Sequence, residues 1–306
     1  MPEIAAVPLP IAFTFWSTNT MAFRLILLTL MTLLIGTSPV MAGKPDHGDH
    51  PKKAQRFEKA IGKTIQAYRQ QGFKVILKID HAANAASVHL DLRPTQLIVF
   101  GHPRREVELL RKSSTVGIDL PVKVLVWEDK DGVVRRTFNS SGYLIDRHGL
   151  KVGPALLRSS ATAQSKLDKA DTGLITVNST QSFQNTVDSL LAAIQNAPPP
   201  GPPSGFSVPL VRDYSDFKRR IKGRRPPVLI AFGNPLVGTP LMQEQQSIGI
   251  DLPQKFLVWE DGRHRVHITY NDPHFLAERH GVVGQDERLD GIAKALATLA
   301  AYGANL

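Results

Sequence analysis

The chain carries one of its own stretches twice. GIDLPVKVLVWED, from Gly117 to Asp129, returns as GIDLPQKFLVWED from Gly249 to Asp261, an offset of 132 residues. At that offset, with no gap, 24 of the 53 positions from 97 to 149 are identical, among them Phe100-Gly101, Leu120-Pro121, Trp127, Asn139 and Arg147-His148-Gly149. Self-similarity at a fixed period marks a tandem duplication, so the chain must fold as two like units. Upstream the offset becomes 133: GFKVILKIDHA from Gly72 meets GFSVPLVRDYS from Gly205, which sets Asp80-His81 against Asp213-Tyr214.

Local patterns give each unit the same elements. Phe57, Ile61, Ile65 and Tyr68 fall on one helical face, as do Phe183, Val187, Leu190, Leu191 and Ile194. TQLIVFG and PVLIAFG are short apolar runs ending at glycine, read as strands covered on both faces. The segments after Pro103 and Pro235 read as helical as far as GIDLP, where Pro121 and Pro253 forbid continuation and favour an extended Asp-Leu. KVLVWED and KFLVWED then enter β-hairpins, with turns at KDG and GRH. Short helices follow, with Ser140 or Asp272 as N-cap and Gly149 or Gly281 just past the end. A last amphipathic helix carries Leu289, Ile292, Leu296 and Leu299. The expected class is α+β: two tandem copies of a two-layer α/β sandwich, each a small sheet with helices packed on it.

The ends and joints are read from composition. Arg24, the apolar run Leu25 to Ile35 and the small residues Val40 and Ala42 have the layout of a secretory signal peptide, with Met21 as the start and cleavage after Ala42. An uncleaved membrane anchor is the competing reading, although the run is shorter than the roughly 20 residues a span needs. The expected organisation is a signal region over 1–42, a flexible mature start over 43–51, a first repeat domain over 52–160, a linker over 161–172 and a second repeat domain over 173–306. The Pro-rich stretch 197–205 looks like a linker but lies between a helix and a strand of the second copy, so it is read as a loop insertion. The expected location is periplasmic or secreted.

The joint motif set resembles a bacterial family, the domain of unknown function 302. The residues that carry the resemblance are Ile79-Asp80-His81-Ala82 in copy one, and in copy two Gly233-Asn234-Pro235, Gly238-Thr239-Pro240-Leu241-Met242, Trp259 and Tyr270-Asn271-Asp272-Pro273. The resemblance implies a tandem pair of two-layer α/β sandwiches with no established reaction or ligand. Copy one departs from the pattern at His102, at Glu106-Val107-Glu108 and at Ser140-Ser141, and copy two at Tyr214. A site needing every such group is therefore incomplete in each half unless the halves combine.

Several groups are candidates for chemistry, each beside a structural alternative. Asp80, His81 and His102 follow apolar strands and are expected at one end of a sheet, within reach of Asp119 or His148. Imidazoles with a carboxylate would suit a divalent metal, or a general base oriented by an acid. Asp119 and Asp251 are alternatively corner residues that bond backbone N–H groups. His148 and His280 alternatively complement a helix C-terminus. Glu128 and Glu260 sit at strand ends beside Asp129 and Asp261, and adjacent carboxylates on a strand face opposite ways, which excludes a paired acid and base. Asn139 and Asn271 complete the repeat-matched polar set, and Trp127 and Trp259 read as core. DHGDH, Asp46 to His50, is a further weak metal candidate.

The chain has no cysteine, which excludes disulfides, thiolate nucleophiles and sulfur-ligated metal sites. No phosphate loop, nucleophile elbow, zinc-helix motif or calcium loop is present, and no cofactor is implied beyond that metal candidate. The net charge of +10 favours anionic partners. Export makes nucleic acid the least favoured of them, and KRRIKGRR, Lys218 to Arg225, reads as a solvated helix face. The expected function is a non-catalytic module that binds a small ligand or an envelope protein. The alternatives are a metal-dependent or acid/base enzyme centred on copy one, and a binder of anionic envelope polymers.

Overall fold

A computed structural model of the chain describes residues 50–151, 171–197, 205–215, 221 and 225–306. The signal region, DHGDH up to residue 49, the linker up to residue 170, the Pro-rich insertion apart from its ends, and most of KRRIKGRR lie outside the described residues. The described residues of both repeats fall in one compact unit, so the two repeats are parts of a single body.

The first repeat is a four-stranded antiparallel meander, β1 (Lys74–Asp80), β2 (Thr95–Gly101), β3 (Val122–Glu128) and β4 (Val134–Phe138), in that spatial order. Helix α1 (His50–Arg69) covers one face, where Phe57, Ala60 and Ile61 meet Ile98, Phe100, Val124 and Val126. Two short helices join the strands, α2 (His81–Ala86) between β1 and β2 and α3 (Pro103–Lys112) between β2 and β3, and α4 (Ser141–His148) follows β4.

The second repeat orders its strands β5-β9-β8-β7-β6, with β5 (Leu174–Asn178), β6 (Ser207–Asp213), β7 (Val228–Gly233), β8 (Gln254–Glu260) and β9 (Val266–Asn271). Helices α5 (Phe183–Gln195) and α8 (Asp286–Ala304) cover the face that holds Ile230, Phe232, Phe256, Val258 and Ile268. Helices α6 (Pro235–Glu244) and α7 (Pro273–His280) match α3 and α4. Strand β5 is absent from the reading of the repeats; it extends the sheet by pairing Leu174 to Asn178 with Asn271 to His267.

Because side chains alternate along a strand, the residues between those facing the helices point the other way. Ile79, Leu97, Val99 and Leu125 of the first sheet pack with Ile250 of the second repeat. Leu229 and Leu257 of the second sheet pack with Val116, Ile118 and Leu120 of the first. Each sheet thus has one face covered by its own helices and one covered by the other repeat. The elements that cross are the 3₁₀ turns Thr115–Ile118 and Gln246–Ile250, the start of the repeated GIDLP. Asp119 and Asp251 end these turns in helical conformation, φ −98° and −97°, rather than in the extended one expected ahead of proline. The steric reach of a proline ring extends to one preceding residue, here Leu120 or Leu252. Both Leu–Pro bonds are cis.

The exchange explains the glycine that opens the motif. A methyl group on Gly117 would stand 2.8 Å from Leu257 Cδ1, and one on Gly249 would stand 3.2 Å from Leu125 Cδ1. Gly117→Ala is expected to cost about 1–3 kcal/mol by overpacking. Combined with Leu257→Ala, which alone opens a cavity costing roughly 2–5 kcal/mol, the pair should cost clearly less than the sum, as urea unfolding would show. Additive costs would mean that the two positions do not touch.

Candidate functional site

The GIDLP turns and helices α4 and α7 bring the duplicated charged residues to the boundary between the repeats. Asp119 Oδ2 accepts hydrogen bonds from Arg147 Nη1 at 3.0 Å and pairs with His148 Nε2 at 2.8 Å. Asp251 Oδ2 does the same with Arg279 Nη1 at 2.6 Å and His280 Nε2 at 3.0 Å. The other imidazole nitrogens meet hydroxyls: Thr115 Oγ1 at 3.1 Å from His148 Nδ1, and Ser247 Oγ at 3.0 Å from His280 Nδ1. Positions 147–148 and 279–280 end an eight-residue helix closed by a left-handed glycine, Gly149 or Gly281, which aims both basic side chains back at the turn.

Each guanidinium then reaches into the other repeat. Arg147 Nη2 donates to Asn271 Oδ1 at 2.7 Å, and Arg279 Nη2 donates to Asn139 Oδ1 at 2.8 Å. The Tyr143 ring lies under the Arg279 guanidinium, 3.8 Å from centroid to Cζ, and 5.5 Å from that of Arg147. The two carboxyls are buried, and the adjacent guanidiniums hold both well below the usual carboxylate range against the opposing effect of burial.

Two lysines complete the cluster. Lys123 Nζ lies 3.9 Å from Asp119 Oδ1 and has no hydrogen-bond partner among the described residues. Lys255 Nζ donates to the carbonyls of Asp251 at 2.6 Å and Pro253 at 3.2 Å. Burial, with Lys123 nearby, brings the Lys255 ammonium down to about 7.

The expected site residues therefore separate. Asp119 and His148 come together, as do Asp251 and His280, with Asn139 and Asn271 crossing between them. His81 and His102 do not meet. The antiparallel register pairs Asp80 with Gln96 and Lys74 with Gly101, so one histidine follows the end of β1 and the other the opposite end of the sheet. Six residues of strand separate those ends, about 20 Å. The single end of the sheet expected for them would have required parallel strands.

Asp80 caps α2 by accepting from the Ala83 N–H at 2.9 Å, and buried His81 meets the Gly249 carbonyl at 3.1 Å through Nε2. His102 caps α3 instead. Glu128 and Glu260 stand at the strand ends, the latter 2.7 Å from exposed His264. Trp127 and Trp259 are half-buried, each indole N–H donating to Thr137 or Thr269. Among the described residues no group of three or more His, Asp or Glu is placed to hold a metal ion.

A cavity of about 30 Å³ opens in the first repeat, lined by Tyr68, His102, Arg105, Asp119, Lys123 and Asn139 among others. Glu106, also in the lining, accepts the His102 N–H at 2.6 Å and pairs with Arg212 of the second repeat at 3.0 Å. The residues that sequence reasoning missed are Arg147, Arg279, Lys123, Lys255 and Arg105. The first four are identical at the repeat offset, which could have found them; nothing local marks Arg105.

Removing one partner from a buried pair leaves the other charge uncompensated, so Arg147→Met is expected to cost about 3–5 kcal/mol in urea unfolding; a loss under about 1 kcal/mol would show that Asp119 needs no guanidinium. Burial holds His81 at about 4, so it stays neutral in the folded chain while the unfolded chain protonates near 6.5. Stability should fall as pH drops from 6.5 to about 4, by roughly 3 kcal/mol. His81→Gln should flatten that window, and an unchanged slope would contradict the assignment.

A profile of the family described as Domain of unknown function DUF302 matches residues 50–170 and again 175–299. Proteins named Fluoride-specific ion channel FluC 1 from Brucella suis biovar 1 (strain 1330) and Brucella abortus biovar 1 (strain 9-941) are each 36% identical to this chain over 136 residues. Those matches cover 44% of this chain and 51% and 48% of the two relatives, so the chain spans about half the length of the curated relatives it matches. The crystal structure of an uncharacterized conserved protein DUF302 from Bacillus stearothermophilus aligns with 42% of this chain and 97% of its own at 19% identity, with a TM-score of 0.37. With both repeats matched in turn, the chain belongs to the DUF302 family as a tandem pair.

Proposed function

We propose that the protein is an exported, non-catalytic binding module in which two repeats act as one body and a small ligand is taken up by the cavity of the first. One observation carries this reading. The differences between the copies converge on that cavity: His102, Arg105 and Glu106 line it where the second copy has Asn234, Val237 and Gly238. Arg105, Lys123, His102 and Asn139 line the cavity with the carboxylates of Asp119 and Glu106, each already bonded to an arginine from outside it, so the remaining donors suit the carboxylate or phosphate head of a small acidic molecule.

Catalysis is less well served. Each hydroxyl–imidazole–carboxylate string, Thr115–His148–Asp119 and Ser247–His280–Asp251, has its carboxylate tied to an arginine, which lowers its worth as partner to a catalytic imidazolium. The name of the Brucella relatives adds a second reading, the binding of small anions, favoured here by the excess of cations over carboxylates around Lys123 and Lys255. Among the described residues no helix is long and apolar enough to cross a membrane.

A thermal-shift panel of small carboxylates and phosphate esters tests the first reading, since a ligand of the native state must raise its apparent stability. At least one compound is expected to raise the melting temperature of the protein, and Arg105→Ala should abolish the rise. A panel without response, or a response that survives Arg105→Ala, would contradict it.

A further inference from the structure

A second cavity, of about 20 Å³, lies between the two sheets. Its walls come in matched pairs at the repeat offset: Leu97 with Leu229, Pro121 with Pro253, and Lys123 with Lys255. The lining is otherwise aliphatic, and both lysines are buried, 7% and 4% exposed. Its volume suits about one particle of the size of water, for which roughly 10–15 Å³ of such space is needed.

The charges around this space do not balance. Asp119 and Asp251 contribute two carboxylates, whereas Arg147, Arg279, Lys123 and Lys255 contribute two guanidiniums and two amines. The carboxylates are already committed to the arginines, and Lys123 Nζ keeps hydrogen-bonding capacity that no described residue uses. The Lys123 ammonium has one ion pair, with Asp119 at 3.9 Å, and no hydrogen bond, so its donors are left for a counter-charge in this mostly apolar space to accept.

We propose that this cavity holds one monatomic anion, a halide, between the amines of Lys123 and Lys255. Fluoride and chloride are close to water in size and accept hydrogen bonds from every side, which suits a space lined by one lysine from each repeat. A bridging water is the competing occupant, because Asp251 Oδ1 also lacks a hydrogen-bond partner. Water would leave the cation excess in place and would be indifferent to the choice of salt. The site stands apart from the first-repeat cavity in that it uses Lys255 and does not use Arg105.

The test is a melting series on the full chain in sodium fluoride, sodium chloride and sodium gluconate at one ionic strength, so that screening is common to all three. Fluoride or chloride is expected to raise the melting temperature by about 2–4 °C over gluconate, saturably. Lys255→Met should lose the difference and Arg105→Ala should keep it, the reverse of the outcome for an organic ligand in the first-repeat cavity. Equal melting temperatures in the three salts, or an unchanged difference in Lys255→Met, would overturn the proposal. Should Lys255→Met fail to fold, chloride-35 line broadening by the unsubstituted protein decides: saturable broadening displaced by fluoride supports the site, and its absence refutes it.

Discussion

A sheet with helices on one side only has an apolar face left over, and the whole arrangement of this protein follows from how that face is covered. Here each repeat covers the other. Ile250 lies on Leu97 and Leu125, while Val116 and Ile118 lie with Leu229 and Leu257. The repeated GIDLP is therefore framework, but framework for the neighbouring copy, with its glycine giving the close approach and its aspartate anchoring the arginine that crosses. Neither half of the duplication has a complete core by itself.

The charged cluster follows from the same exchange. Once two turns are pressed between two sheets, the carboxylates that end them are dry, and each needs a cation positioned by a rigid element. The short helices α4 and α7 supply it, and the asparagines at the ends of β4 and β9 receive the far side of each guanidinium across the boundary. Buried ion pairs of this kind add little net stability compared with apolar packing but penalise a wrong partner heavily. They fix the relative register of the repeats more than they strengthen it.

Much of this was legible in the chain. The duplication, the strands TQLIVFG and PVLIAFG, the hairpins after LVWED and the capped helices before RHG all follow from local pattern, because each rests on alternation, turn chemistry or capping within a few residues. What could not be read was relative placement. Antiparallel pairing of β1 with β2, which parts His81 from His102, depends on contacts between distant segments. So does the pairing of Arg147 with Asn271, 124 residues apart. Asp119 was visible as a corner residue, yet nothing near it in sequence reveals that its partners are an arginine and a histidine rather than backbone N–H groups. The asymmetry of the copies was visible as departures at His102 and Glu106 and became meaningful only when both were found at one cavity.

The central claim is that the two repeats are one cooperative body held by reciprocal cover. Native-state hydrogen exchange of the central strands tests it most directly, because the slowest amides of a cooperative unit open only with the whole. The account predicts that the protected amides of β2 and β3 and those of β7 and β8 exchange with the same opening free energy and the same denaturant dependence. Two distinct values, with one repeat opening while the other stays closed, would contradict it.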